Sequence, residues 1–552
     1  MKESIMRLWS LLLLVLLVAC STNPDKTLKQ AEESINAEDM ASHVRMLASD
    51  EFQGRKPFTE GEAKAIAYLS EQFQKLGLKA PYEGSYLQEV PMVQISYQPS
   101  TSIQLKLPKG NLELDNIQDY IAKTPHIVDE VNILNTEVVF AGYGIVAPEY
   151  DWDDYDGIDV KDKMVIVLVN DPGFATQDPQ LFNGNAMTYY GRWAYKYEEA
   201  ARQGAKGIWV VHDTRGAGYP WASLSNTCGS NLYLLDEDNN RDQCALTGWI
   251  TEEACKKIFD YNGMDYAQVK KTAATRDFKS FSLNTHLNLT IKNDLKYDIS
   301  HNVVGVIEGK ERKDECIVYS AHWDHFGIGP AHDGDSIYNG AADNALAVAC
   351  MLETAKAFAK APQPQRSIVF ISITAEETGM LGSNYYAHHS LFEPQKTVAN
   401  LNYELPLPLG RMKDVTITGF GQSELDQYVE RLAQDQDRYI APEPSPENGM
   451  YYRSDHFSFA KVGIPSLFIK GWQDSREHGK EWAREQVLHY WETAYHKPAD
   501  EFDPQTADLS GNVEDAKLFF KIGWQLANED AFPVWSDKSE FKSIREASMQ
   551  VK

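Results

Sequence analysis

From Asn302 onward, apolar strands and amphipathic helices alternate, and His, Asp and Glu residues collect where strands give way to loops. Residues 303–307 and 316–321 read as strands. Residues 344–359 read as a helix with Leu346, Leu352, Ala355 and Phe358 on its apolar side. Residues 367–374 are mostly apolar, as in a strand covered on both faces. Shorter strands follow at 399–403, 415–418 and 466–469, with helices near 424–435 and 513–527. This pattern predicts an α/β fold: a three-layer α/β/α sandwich with a central mixed sheet.

In such a sheet, chemistry belongs at the carboxyl ends of strands. Ser320-Ala321-His322-Trp323-Asp324, Ala342-Asp343-Asn344, Ala375-Glu376-Glu377, Asn402-Tyr403-Glu404 and Tyr495-His496 follow in order, most of them where a strand gives way to a loop or helix. Two imidazoles and several carboxylates brought together could hold two divalent ions around one shared oxygen, which suits amide hydrolysis near neutral pH. Asp324, two residues past His322, is placed to accept a bond from the second ring nitrogen of a ligating His322. Asp343 opens a helix, where it could bridge two ions, cap the helix, or do both. Adjacent side chains diverge at Glu376 and Glu377, so one can ligate while the other moves a proton. Tyr495 offers a hydroxyl beside His496.

The chain has 552 residues, enough for two or three domains, and a formal net charge of -27. That balance argues against a nucleic-acid partner, because phosphate binding needs clustered Lys and Arg. Lys2 and Arg7 precede a nearly unbroken apolar run, 8–18, too short for a spanning helix and right for a signal sequence. It closes as Leu17-Val18-Ala19-Cys20, which resembles a bacterial lipobox. That resemblance implies a signal peptide over 1–19, lipidation of Cys20, a polar tether over 20–36, and an extracytoplasmic protein facing the periplasm or cell surface from the outer membrane. The other cysteines lack CxxC spacing, so a cysteine zinc site is not expected. Cys316 and Cys350 fall in apolar patterns and read as buried thiols. Cys228 and Cys244 flank a Gly/Asn/Asp-rich loop and are expected to form a disulfide in an oxidising compartment.

Thr59-Glu60-Gly61-Glu62 has the form of a capping box, followed by Ile66, Leu69, Phe73 and Leu76 at helical spacing and a stop at Gly77. Character changes near Glu130. Residues 131–290 read as an inserted, compact, β-rich module. It divides a discontinuous domain, 37–130 with 291–535, and 536–552 is expected to be a C-terminal tail.

In this order, the residues around His322, Asp343, Glu376-Glu377, Glu404 and His496 resemble zinc-dependent metallopeptidase family 28, which includes bacterial aminopeptidases and glutamate carboxypeptidase II. The segment from His43 to Arg55 resembles the family's opening segment. Ser454-Asp455-His456-Phe457 resembles its substrate-side loop, so Asp455 and His456 are expected at the substrate. Ala141-Gly142-Tyr143-Gly144, Asp159-Val160-Lys161-Asp162-Lys163 and Gly204-Ala205-Lys206-Gly207 resemble a protease-associated domain. The resemblance implies two Zn²⁺ ions. His322 and Glu404 would hold one, His496 and Glu377 the other, and Asp343 would bridge them. Glu376 would be the general acid/base, and Tyr495 would stabilise the oxyanion. It also implies a cis peptide after Asp343. Family aminopeptidases usually carry Asp where this chain has Glu404, which moves the carboxylate by about 1.5 Å. The expected function is a lipid-anchored di-zinc exopeptidase acting on peptides, foremost an aminopeptidase. Carboxypeptidase action, glutaminyl cyclisation on the same site, and a non-catalytic peptide-binding surface lipoprotein stand as alternatives.

Overall fold

The computed structural model describes residues 24–225 and 229–550. The expected signal peptide, the lipidation site Cys20 and the Cys228 half of the expected disulfide lie outside the described residues. Cys244 is buried, with its Sγ 3.4 Å from the Ala205 carbonyl. Among the described residues, no helix is long and apolar enough to cross a membrane.

The strand Arg312–His322 lies inside the main sheet. It pairs in parallel with Arg366–Ile373 on one side and Thr397–Asn402 on the other. Ser466–Lys470 continues the parallel set, and Asp414–Ile417 then runs antiparallel to it. Arg366–Ile373 meets the antiparallel end of the long strand Phe281–Ile307. The sheet is therefore mixed, as the sequence pattern predicts.

Side chains of a strand alternate between faces, and each face here has its own core. Ile317, Tyr319, Ala321, Ile368 and Phe370 pack with the helices Leu346–Lys360 and Ser510–Asn528. Cys316, Val318, Val369 and Ile371 pack on the other side with Tyr386 and Phe459, from the helices Leu381–His388 and His456–Lys461. The apolar run over 368–371 follows from this two-sided burial.

The second module is also α/β. Glu130–Phe140, Met164–Leu168, Gly207–His212 and Leu246–Thr251 run parallel to one another, with Tyr120–Lys123 antiparallel at the edge. Helices Trp193–Arg202 and Glu252–Tyr261 pack on them. Phe281–Ile307 pairs with Glu130–Phe140 through its first half and with Arg366–Ile373 through its last residues, so one strand ties the module to the main sheet. The module's core takes in Tyr97, Ile103, Leu105, Leu112, Leu114 and Tyr120, all N-terminal to the boundary suggested near Glu130. The hairpin Ser102–Leu107/Gly110–Asp115 alternates in burial, and its inward face completes that core.

Both ends of the described chain are packed. Pro24–Glu33 is helical rather than a free tether. Ala31 and Ile35 enter the main core, and the Asn36 amide donates to Glu353 Oε2 at 2.8 Å. The expected tail ends in the helix Lys542–Gln550. It is held by Phe541 in the second core and by Arg545 donating to the carbonyls of Pro394 and Thr397. The helix Glu60–Lys75 starts at Thr59, whose Oγ1 accepts the Gly61 amide at 3.2 Å. Glu62 departs from the expected box: its carboxylate accepts the Phe58 amide and the Ser300 hydroxyl.

His43 links this part of the fold to pH. It lies on the helix Ala37–Leu47, with Nδ1 2.7 Å from the Tyr68 hydroxyl. Burial lowers its pKa to about 4, against weaker support for the charged form from Asp39, and Lys356 and Lys75 lower it further. The folded pKa lies below the unfolded one, so folding favours the neutral ring. That stability is present above the ordinary imidazole pKa of about 6.5 and is lost as pH falls towards 4. His43→Gln should flatten the fall in Tm over this window. An unchanged slope by calorimetry would refute the assignment.

Candidate active site

The predicted residues meet above the carboxyl ends of the parallel strands. His322 ends Arg312–His322, Glu376-Glu377 follows Arg366–Ile373, and Glu404 follows Thr397–Asn402. Asp343 precedes the helix Leu346–Lys360, and the peptide Asp343–Asn344 is cis. His496 follows the helix Gly479–Thr493. Asp343 lies between the two imidazoles: its Oδ1 is 3.3 Å from His322 Nε2 and its Oδ2 is 3.3 Å from His496 Nε2. On one side, Glu404 Oε1 lies 3.5 Å from His322 Nε2. On the other, Glu377 Oε2 lies 3.3 Å from His496 Nε2. Glu376 Oε2 is 3.9 Å from His322 Nε2 and lines the adjoining cleft of about 110 Å³ with Tyr495.

Surrounding groups fix this array. Gly340 has φ +56°, and a Cβ there would lie 2.2 Å from the Asp343 carbonyl and 2.6 Å from the His325 ring, so only glycine fits. Asp500 holds the bridging loop: its two carboxylate oxygens accept the amides of Ala342 and Asp343, each at 3.0 Å. Tyr490 donates to the same carboxylate at 3.2 Å. Glu404 Oε2 accepts from Ser454 Oγ at 2.7 Å, which leaves Oε1 facing His322. The longer side chain thus still reaches His322.

The electrostatics favour cations. Burial works against charge on His322, but Glu404, Asp324 and Asp343 outweigh it and raise its pKa well above the ordinary value. Burial opposes the Asp343 charge too, yet the His322 and His496 imidazoles, each 3.3 Å away, hold it well below the usual carboxylate range. Burial pushes Glu377 well above its usual range, with the Asp343 charge adding to it. Densely packed acids of this kind are relieved by a metal ion's own charge. His322 Nε2 and Asp343 Oδ1 are buried with no hydrogen-bond partner, as unliganded donor atoms would be. Ligand atoms of His322, Asp343 and Glu404 lie within 4.8 Å of one another, as do those of His325, Asp343 and Glu377. Imidazole nitrogen and carboxylate oxygen are zinc donors, and these residues fit the metal.

Residues 302–520 match peptidase family M28. This stretch is a peptidase M28 domain. The chain is 30% identical over 132 residues to aminopeptidase NAALADL1 of Mus musculus, covering 23% of this chain and 16% of that protein. It is 34% identical over 109 residues to aminopeptidase YwaD of Bacillus subtilis, covering 20% and 22%. These matched stretches span less than a quarter of the two relatives' own length. Among solved structures, the aminopeptidase from Aneurinibacillus sp. strain AM-1 is similar at 19% identity, covering 92% of this chain and 97% of that one, with a TM-score of 0.47.

Three sequence expectations about the M28 domain change. Asp324 does not hold His322 through its carboxylate. His322 Nδ1 lies 3.1 Å from the Asp324 main-chain carbonyl, with the carboxylate at 3.7 Å. The Asp324 carboxylate instead accepts the amides of Glu376 and Glu377 at 3.0 and 3.4 Å, so it positions that pair. Asp455 and His456 are fully buried and do not line the cleft; Met450, Arg453 and Ser454, just before them, do. The His456 ring packs on Tyr451 and Phe468, and burial lowers its pKa to about 3. Burial pushes Asp455 up to about 7.

Other site residues carried no local signal. His325 is buried with Nδ1 2.6 Å from Glu377 Oε1, and so orients that carboxylate. Asp500 and Arg55 act on backbone far away in sequence. Tyr495 stacks on His496 with ring centroids 3.7 Å apart, beside Trp491.

Proposed function

We propose that the chain is a di-zinc aminopeptidase that removes N-terminal residues from peptides. One observation carries the reading: a single carboxylate, Asp343, faces an imidazole with each of its oxygens, and each imidazole has a second acid beside it. His322 and Glu404 would hold one ion, His496 and Glu377 the other, and Asp343 both. Bound zinc supplies Lewis acidity and brings the pKa of water towards neutrality. Glu376 lines the cleft outside those assignments; it takes the proton from water and returns it to the leaving amine. Tyr495, across the cleft, donates to the developing oxyanion. The cleft's acids also suit a substrate's free ammonium group.

The reading extends to location. The lipobox-like Leu17-Val18-Ala19-Cys20 supports a protein anchored by lipid at Cys20 outside the cytoplasm. The module resembling a protease-associated domain supports a role in admitting peptides.

Purified protein should carry two zinc per chain and release leucine from a leucine anilide. A strong chelator should abolish turnover, and Zn²⁺ should restore it. Activity that survives verified metal removal would refute the mechanism. Release of C-terminal residues from N-blocked peptides would point to a carboxypeptidase instead.

A further inference from the structure

Arg453 is a second feature of the cleft, of opposite sign to the acids. It lines the same space as Asp343, Glu376, Glu377 and Glu404, yet no ion pair forms between its guanidinium and a carboxylate of any described residue. Its Nε and Nη2 are buried without a hydrogen-bond partner. A buried donor with no acceptor is costly, and more so when it is charged. The other cleft cation, Lys470, is already engaged: its Nζ donates to the Leu405 carbonyl at 3.2 Å and lies 4.1 Å from the Trp472 ring centre.

The surroundings suit an incoming anion. The guanidinium lies over the Tyr219 ring, 6.0 Å from its centre, on the second module. Arg192, from that module, is buried beside it; burial, with the Arg453 charge next, lowers the Arg192 pKa to about 9. Two guanidinium groups brought together without a carboxylate repel each other unless something negative comes between them. A Cβ on Gly218 would lie 3.5 Å from Arg453 Nη2, so Arg453 reaches the loop on which Gly218 and Tyr219 help to line a neighbouring cavity of about 340 Å³.

We propose that Arg453, backed by Arg192, receives a carboxylate of the peptide substrate and thereby sets a preference for short or acidic peptides. The inference rests on the aminopeptidase reading and deepens it. The planar guanidinium fork matches a carboxylate in two parallel hydrogen bonds. In a peptide the carboxylate has two sources: the C-terminus of a dipeptide, or an acidic side chain following the scissile bond. Either source would occupy the Arg453 donors, while the ammonium end meets the acids.

The test uses the zinc-loaded full chain with Leu-Gly, Leu-Gly-amide and Leu-Glu-amide. In the unaltered protein, kcat/KM should favour at least one carboxylate-bearing peptide over Leu-Gly-amide by about tenfold or more, mainly through KM. Leu-Gly preference assigns the terminal carboxylate, and Leu-Glu-amide preference the side chain. Arg453→Met should bring the ratio close to one, and Arg453→Lys should restore part of it. An equal loss on all three substrates, or an unchanged ratio, overturns the proposal. If no substrate is turned over, the hydrolase reading fails separately. Calorimetric affinity for Leu-Gly against Leu-Gly-amide then decides the carboxylate site, and equal affinity in the unaltered protein overturns it.

Discussion

Glu376→Gln should lower kcat on a leucine anilide by about three orders of magnitude while leaving zinc content and KM nearly unchanged. The substitution keeps side-chain length and shape but removes the basic oxygen, and proton transfer by a positioned side chain contributes about 10²–10⁴-fold. The geometry makes this separable from ligation. Glu376 Oε2 stands 3.9 Å from His322 Nε2, whereas Asp343 and Glu404 approach that nitrogen to 3.3 and 3.5 Å. The Glu376 amide is fixed by Asp324 Oδ1 at 3.0 Å, so replacing the carboxyl does not free the loop. Burial, with Glu404 and Asp455 adding to it, holds the carboxyl well above its usual range despite the opposing charge of His322. The comparison variant is Glu377→Gln, which should lose metal because Glu377 Oε2 faces His496 at 3.3 Å. Loss of a zinc equivalent from the Glu376 variant would make that residue a ligand. Residual turnover above a tenth would remove it from proton transfer.

The parts of this site that sequence reveals are those written locally. A fully buried strand such as Arg366–Ile373 shows as an apolar run, and two acids at its end stand out against it. The same contrast marks His322 and Glu404, because each follows a strand whose neighbours are covered on both sides. Position 455–456 misleads for a related reason. A polar pair beside the cleft residue Ser454 looks like cleft lining, but it opens the short helix His456–Lys461, which turns its side chains into the protein. The two-residue spacing brings Asp324 close to His322 but does not say which of its atoms faces the ring, because its carboxylate turns to the amides that follow the neighbouring strand. The extent of the second module's core is hidden for a different reason. The hairpin over 102–115 has ordinary alternation, and nothing in alternation says which of two cores its inward face completes. Asp500 and His325 lie beyond local reading because their partners are set by tertiary packing.

Arg55 is the extreme case of that long reach, and replacing it should have the largest effect on stability. Arg55→Met should destabilise the protein by about 3–5 kcal/mol, the range for breaking a buried charged network by removing one partner. The guanidinium is 1% exposed and bonds main-chain carbonyls only: Trp323 at 2.8 Å, Leu47 and Asn339 at 2.6 Å, and Gly340 at 2.9 Å. Trp323 adjoins His322, and Gly340 lies three residues before Asp343. One side chain therefore ties together the two loops that carry the bridging acid and its first imidazole. Burial lowers the Arg55 pKa to about 10, while Asp500, Asp324, Asp343 and Glu377 pull it back up, so the group stays charged at neutral pH. It places a fixed positive charge beneath the acid cluster as well as filling four carbonyl acceptors. Methionine would match the stem and leave those acceptors unpaired, each a cost of about 1–3 kcal/mol where water cannot enter. Lysine would keep the charge but lacks the fork that spans four carbonyls. Arg55→Lys should therefore recover only part of the loss. Tm should fall by about 10 °C in the methionine variant, by the scale for large domains. Zinc affinity should weaken as well, because ligand placement depends on these loops. A Tm within about 2 °C of the unaltered protein, measured at matched zinc occupancy, would show that the loops hold their positions without Arg55.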